Sequence, residues 1–116
     1  MGKVTSGLKR ATMEIIVLSL LKEGDKYGNQ MCKEISERSQ GLLKVQMGSL
    51  YPVLYRLTDN GYLTDRKVKV GVHQSIVYYH LDTPGMELLE ELKAEYDSVM
   101  KGIRLVLDEE TPGGKE

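Results

Sequence analysis

Three features of the sequence predict an α+β fold that is mostly α. They are three short stretches with helical spacing of apolar residues, two β-rich runs separated by four residues, and a closing stretch whose apolar residues recur every three and four positions. In that order they describe a winged helix-turn-helix, three helices plus a β-hairpin wing, carrying a long C-terminal dimerisation helix. A chain of 116 residues suits one core. The winged helix-turn-helix is expected over residues 8–82 and the dimerisation helix over 83–107. The ends at 1–7 and 108–116 are expected to be disordered, the latter being the polar tail DEETPGGKE.

The first helix is carried by ATMEIIVLSLLKEG, where Met13, Ile16, Val17, Leu20 and Leu21 make one buried stripe and Gly24 ends it. In KYGNQMCKEISERSQG, Tyr27, Met31, Cys32 and Ile35 form a second short amphipathic helix closed by Gly41. The third lies in MGSLYPVLYRLTDNGYL: Leu50, Val53, Leu54 and Leu57 face inward, and Asn60-Gly61 supplies a stop that tolerates the left-handed conformation. Its N-cap falls between Gln46 and Ser49, which puts Pro52 near the first turn. There a missing amide hydrogen is tolerated, whereas an earlier start would make the proline a kink. LTDRKVKV and SIVYYHL read as strands of a hairpin around GVHQ, with Arg66, Lys67 and Lys69 on the first strand and His73 near the tip. Thr83-Pro84 opens the last helix, in which Leu89, Leu92, Tyr96, Val99, Ile103 and Val106 form an a/d seam. No other long helix is predicted to cover that seam, so a second copy is the simplest partner.

The formal net charge of −1 alone argues against nucleic acid, but its distribution does not. Residues 1–80 hold 12 Lys and Arg against 7 Asp and Glu, while residues 81–116 hold 4 against 10. The basic part suits a polyanion, and the acidic part suits solvation or self-association; such segregation also occurs without function. Cys32, His73 and His80 stand far apart, so a metal site is not expected. No nucleophile–base pair or phosphate-binding glycine loop is present, which excludes the enzyme classes such motifs mark, and no cofactor is implied. No run approaches a membrane span, residues 1–7 lack a signal-peptide core, and the lone cysteine suits a reducing compartment, so a cytoplasmic location is expected.

GSLYPVLYRLTDNGYL resembles the block that opens the recognition helix of the PadR transcriptional regulators. VYYHLDTPG is similar to that family's tyrosine-pair run, and LKEGDKYGNQM to its junction between the first two helices. The resemblance spans about Leu8 to Leu107 and points to the short subfamily with a single C-terminal helix. It implies a bacterial, homodimeric, repressor-type protein that binds a double-stranded DNA operator, with a phenolic or drug-like small molecule as effector. It also points to Ser49, Tyr51 and Arg56 as recognition-helix contacts and to the wing as a backbone contact. Many members carry arginines before the tyrosine pair, where this chain has Gln74-Ser75-Ile76-Val77, so the wing's charge must come from its first strand and His73.

Each candidate has a plainer alternative. Tyr51 and Tyr55 are assigned to DNA, or pack with their hydroxyls at the rim. Arg56 is assigned to DNA, or braces the hairpin or pairs with Asp59. Lys9, Arg10 and Lys44 reach phosphates, or end in solvent, and Lys67 and Lys69 are the wing's phosphate contacts. Tyr78 and Tyr79 alternate faces, so one belongs to the core. Tyr96, with the soft side chains of Met100 and Met13, is a candidate ligand pocket between protomers, or a satisfied interface tyrosine beside core methionines. A winged-helix module that docks protein, or a small-molecule binder with little DNA affinity, are the other functions this sequence allows.

Overall fold

The computed structural model describes residues 2–108, with side chains described from residue 11 onward. The elements run α1 Gly2–Lys22, β1 Lys26–Tyr27, α2 Gly28–Arg38, α3 Met47–Asp59, β2 Leu63–Lys69, β3 Ser75–Leu81 and α4 Thr83–Leu107. The expected tail lies outside the described residues from 109 onward, as does Met1. The expected disordered start is otherwise helix: α1 begins at Gly2. No proline interrupts residues 2–12, and a formed turn propagates at little cost once the stripe from Met13 is packed.

α1, α2 and α3 pack around Val17, Leu18, Met31, Leu50, Leu54 and Leu57, all nearly inaccessible. The sheet has the order β1-β3-β2 and is antiparallel throughout, so the wing is a three-stranded sheet at its base and a hairpin only beyond it. Register pairs Leu63 with Leu81, Asp65 with Tyr79, Lys67 with Val77 and Lys69 with Ser75. Residues paired across an antiparallel ladder share a face. The face that buries Leu63, Tyr79 and Leu81 therefore continues outward as Lys67 and Lys69.

The chain enters α4 through a close contact. A Cβ on Gly85 would lie 2.4 Å from the Tyr62 carbonyl oxygen and 2.6 Å from a Leu81 methyl, so only glycine lets the first turn of α4 approach the loop before β2 this closely. Leu89 is 1% exposed, inside the core of its own chain, which corrects its assignment to the partner-facing seam. Leu92 packs at the edge of that core. Heptad spacing fixes a helix face and says nothing about which neighbour covers it. Here α1, longer than expected, covers the start of α4, and Lys22 and Glu90 meet at 3.8 Å across that contact. Beyond Leu92 the stripe emerges: Tyr96, Val99, Ile103 and Val106 are exposed, Val106 by 84%. Among the described residues, no helix is long and apolar enough to cross a membrane.

Candidate nucleic-acid interface

α3 begins on the N-cap Gln46, so Pro52 is the sixth helical residue, inside the helix. It lies three residues past Ser49, the last whose amide precedes the i→i−4 bonds, and its ring leaves the Gly48 carbonyl without the usual i+4 donor. The amides of Ser49 and Leu50 donate to the Gln46 carbonyl, at 2.9 and 3.0 Å. Those of Met47 and Gly48 precede the first helical bond and remain at a helix end, and the space about Gly48 is open. Four apolar residues turn inward, which leaves Ser49, Tyr51, Pro52 and Tyr55 on the outer face.

Tyr51 and Tyr55 stand one turn apart, 55% and 62% exposed, with rings stacked at 6.5 Å and 27°. With Thr58, Asp59, Asp65 and Tyr79 they line a cleft of about 130 Å³ between α3 and the base of the wing. Tyr79 is the core member of the tyrosine pair, and burial pushes its phenol pKa up, with smaller contributions from Asp65 and Tyr51. Tyr78 lies on the opposite face, edge-on to Tyr27 at 5.5 Å and beneath the Arg66 guanidinium at 5.3 Å.

Two of the expected cations are engaged elsewhere. Arg56 donates to Glu14 Oε2 from Nη2 at 2.9 Å and from Nε at 3.3 Å, so it ties α3 to α1 rather than to the hairpin or Asp59. Arg66 donates to Asp25 Oδ2 at 2.6 Å on the sheet's outer face, where His80 Nδ1 meets the other oxygen of the same carboxylate at 2.7 Å. Those two partners hold the Asp25 carboxyl below its ordinary pKa. Lys44 is exposed in the link before α3, while Lys9 and Arg10 lie on α1 outside the described side chains. Lys67 and Lys69 remain exposed on the α3 side of the wing. They share a hollow of about 290 Å³ with Val72, His73, Gln74 and Ser75.

The other expected cluster does not form within one chain. Met13 is core, Met100 is half-buried on the α4 arm and Tyr96 is 42% exposed there. None of the three lines either the cleft or the wing hollow.

Sequence reasoning passed over the group that fixes the interface from behind. Lys26, buried on β1, donates to Glu34 at 2.7 Å and Glu23 at 3.1 Å, and Arg38 makes a two-pronged contact with Glu23 at 2.7 and 2.6 Å. Arg38 and Lys26 hold the Glu23 pKa down to about 2. Glu34 is lowered by Lys26 and further by Gln30, and Lys26 itself is raised by its hydrogen bond to Glu34. The run KEGDK, with its alternating charge between two helices, was the available signal.

Residues 17–99 match the transcriptional regulator PadR-like family, which covers the end of α1, α2, α3, the whole sheet and most of α4. The chain belongs to the PadR-like family of transcriptional regulators. A transcriptional regulator from Clostridium thermocellum is 29% identical, with 85% of this chain and 93% of that one covered at a TM-score of 0.77. A PadR family regulator from Eggerthella lenta is 25% identical, covering 91% and 90%, also at 0.77. Bacillus subtilis PadR, solved in complex with operator DNA, is 25% identical over 69% of this chain and 45% of that longer one, at 0.64. PadR-like membership places this chain among regulators of transcription rather than enzymes.

Proposed function

We infer that this PadR-like protein reads a double-stranded operator as a homodimer and represses transcription. The observation that carries the reading is the pairing on one side of the molecule of α3's outer face (Ser49, Tyr51, Tyr55) with two wing lysines, Lys67 and Lys69, that pair with no carboxylate among the described residues. α3 enters the major groove, its tyrosines and Ser49 meet base edges and phosphates, and the free amides at Met47 and Gly48 face a phosphate. Lys44 and the wing lysines neutralise backbone charge, with Lys9 and Arg10 as further contributors from α1. Arg56 acts through Glu14, holding the reading helix on α1. The operator complex of Bacillus subtilis PadR supports the same use of this fold.

The second copy covers the α4 stripe from Tyr96 to Val106, which is apolar and open in the single chain. A phenolic or drug-like ligand wedged there beside Tyr96 and Met100 changes the separation of the two reading helices and releases the operator.

The test is binding to the protein's own upstream intergenic DNA against a scrambled duplex at two salt concentrations. Preference by about a thousandfold or more, the lower end of specific recognition, is expected. In Lys67→Ala/Lys69→Ala the log–log salt slope should become shallower by roughly 1.8 for each wing, and so by roughly 3.6 for the homodimer. Equal, weak binding to both duplexes at both salts would overturn the reading.

A further inference from the structure

The hollow at the wing tip has a chemistry of its own. Its walls are Lys67 and Lys69 from β2 and Val72, His73, Gln74 and Ser75 from the turn and the start of β3. Two ammonium groups, an imidazole, an amide and a hydroxyl therefore surround a space of about 290 Å³, and no carboxylate lines it. The placement follows from the register: Lys67 and Lys69 share one face, opposite Val77 and Ser75, and the Val70 amide donates to the Gln74 carbonyl at 3.1 Å, which closes the turn over them. Among the described residues, none of the Lys67, Lys69 and His73 side chains has an ion pair or hydrogen bond. By contrast Arg66, on the same strand but the other face, is bound to Asp25.

We propose that this hollow is an oxyanion seat for a tetrahedral phosphate or sulfate group, and that protonation of His73 makes its grip depend on pH. Lysine ammoniums supply charge, Ser75 and Gln74 supply directional donors, and the imidazolium adds a third positive group when the pH falls. Imidazole protonation and anion binding favour each other, so the seat tightens as pH is lowered through the range in which histidines gain a proton. Among the described residues, the charged groups that line the hollow with His73 are Lys67 and Lys69; Asp65 lies on the same face of β2 but outside the hollow, and β1 joins the sheet at Tyr78 and Tyr79, away from the tip. The same chemistry accepts a DNA backbone phosphate or a free oxyanion. In the first case it rests on the operator-binding reading and makes DNA affinity respond to pH; in the second a free anion competes for the wing.

The experiment measures the affinity of the full chain for a short random-sequence duplex, and separately for inorganic sulfate, at about pH 6 and 8, with His73 followed by its imidazole NMR signals. Neither ligand changes charge over that window. Both should bind more tightly at the lower pH, by roughly two- to fivefold for each exposed charge contact, and the duplex salt slope should steepen by roughly 0.9 for each wing bound. His73→Gln should flatten the pH response of both, Lys67→Ala/Lys69→Ala should weaken both, and His80→Gln, which alters the chain's other histidine on the opposite face, should leave the response intact. Melting curves of the variants check that the wing still folds. Duplex binding whose pH response survives His73→Gln, or disappears in His80→Gln, overturns the seat and leaves the DNA reading standing. Sulfate binding that shifts His73 without any duplex binding supports the seat and removes the DNA reading.

Discussion

Gly85 and Gly28 look alike in the sequence and differ in what their missing side chains would strike. At Gly85 the obstacle is the Tyr62 backbone carbonyl, which cannot move without shifting the loop before β2; at Gly28 it is the end of the Met47 side chain, at 2.6 Å, which can swing away. Gly85→Ala should therefore destabilise by about 1–3 kcal/mol and Gly28→Ala by clearly less, read from urea midpoints at unchanged slope. The Lys26 cluster sets the acid limb of stability. Glu23 and Glu34 have pKa values below the ordinary 4.5 in the folded chain, Glu23 near 2. Their contribution is full above the unfolded value and lost as pH falls from about 4.5 toward 2. Lys26, raised above its ordinary 10.5, contributes fully below that value and loses its contribution only as pH rises through the folded one. Urea unfolding across the acid range should show stability falling in that window, and Glu23→Gln should flatten the fall.

α3 was legible in its inward face and its end, because four residues follow one stripe and Asn60-Gly61 marks the stop, but not in its start, which lies early enough to put Pro52 inside the helix. The heptad in α4 was equally visible, yet its first member, Leu89, turned out to be core, since periodicity identifies a face without naming its neighbour. β1 escaped because two residues carry no alternation, and Glu14–Arg56 because the pair is separated by 42 positions and bridges two helices. Of the interface, the residue types and their helix were readable; which cations were free was not, because neutralisation of Arg66 by Asp25 depends on β3 pairing with both β1 and β2. The α1–α3 joint makes its own prediction. A double-mutant cycle on Glu14→Ala and Arg56→Ala should return a coupling of about 1 kcal/mol in unfolding experiments, consistent with a half-buried, two-pronged contact. Zero coupling would mean that Arg56 is held by something other than Glu14.

The molecule measures 66 × 30 × 22 Å with a radius of gyration of 16.8 Å, against about 13 Å for a rounded domain of this length. α4 accounts for that elongation: it leaves the core after Leu92 and carries an apolar stripe outward. Val99→Asp/Ile103→Asp should convert a dimer to a monomer in sedimentation experiments, and the concentration dependence of Tm should vanish with it. A native chain that sediments as a monomer would remove the arm's assigned role. The sheet order has a further consequence, for the behaviour of the protein at high concentration. Among the described residues β2 has a strand neighbour on its β3 side alone, so along its seven residues every second one turns its amide and carbonyl to the open edge. That strand reads Leu-Thr-Asp-Arg-Lys-Val-Lys, with three cations against one carboxylate, so an incoming copy would crowd net positive charge along an edge with little apolar surface to offset it. The lysines assigned to phosphates thus also keep the protein from growing into a fibre through its wing, and apolar replacements at Lys67 and Lys69 would forfeit solubility together with affinity.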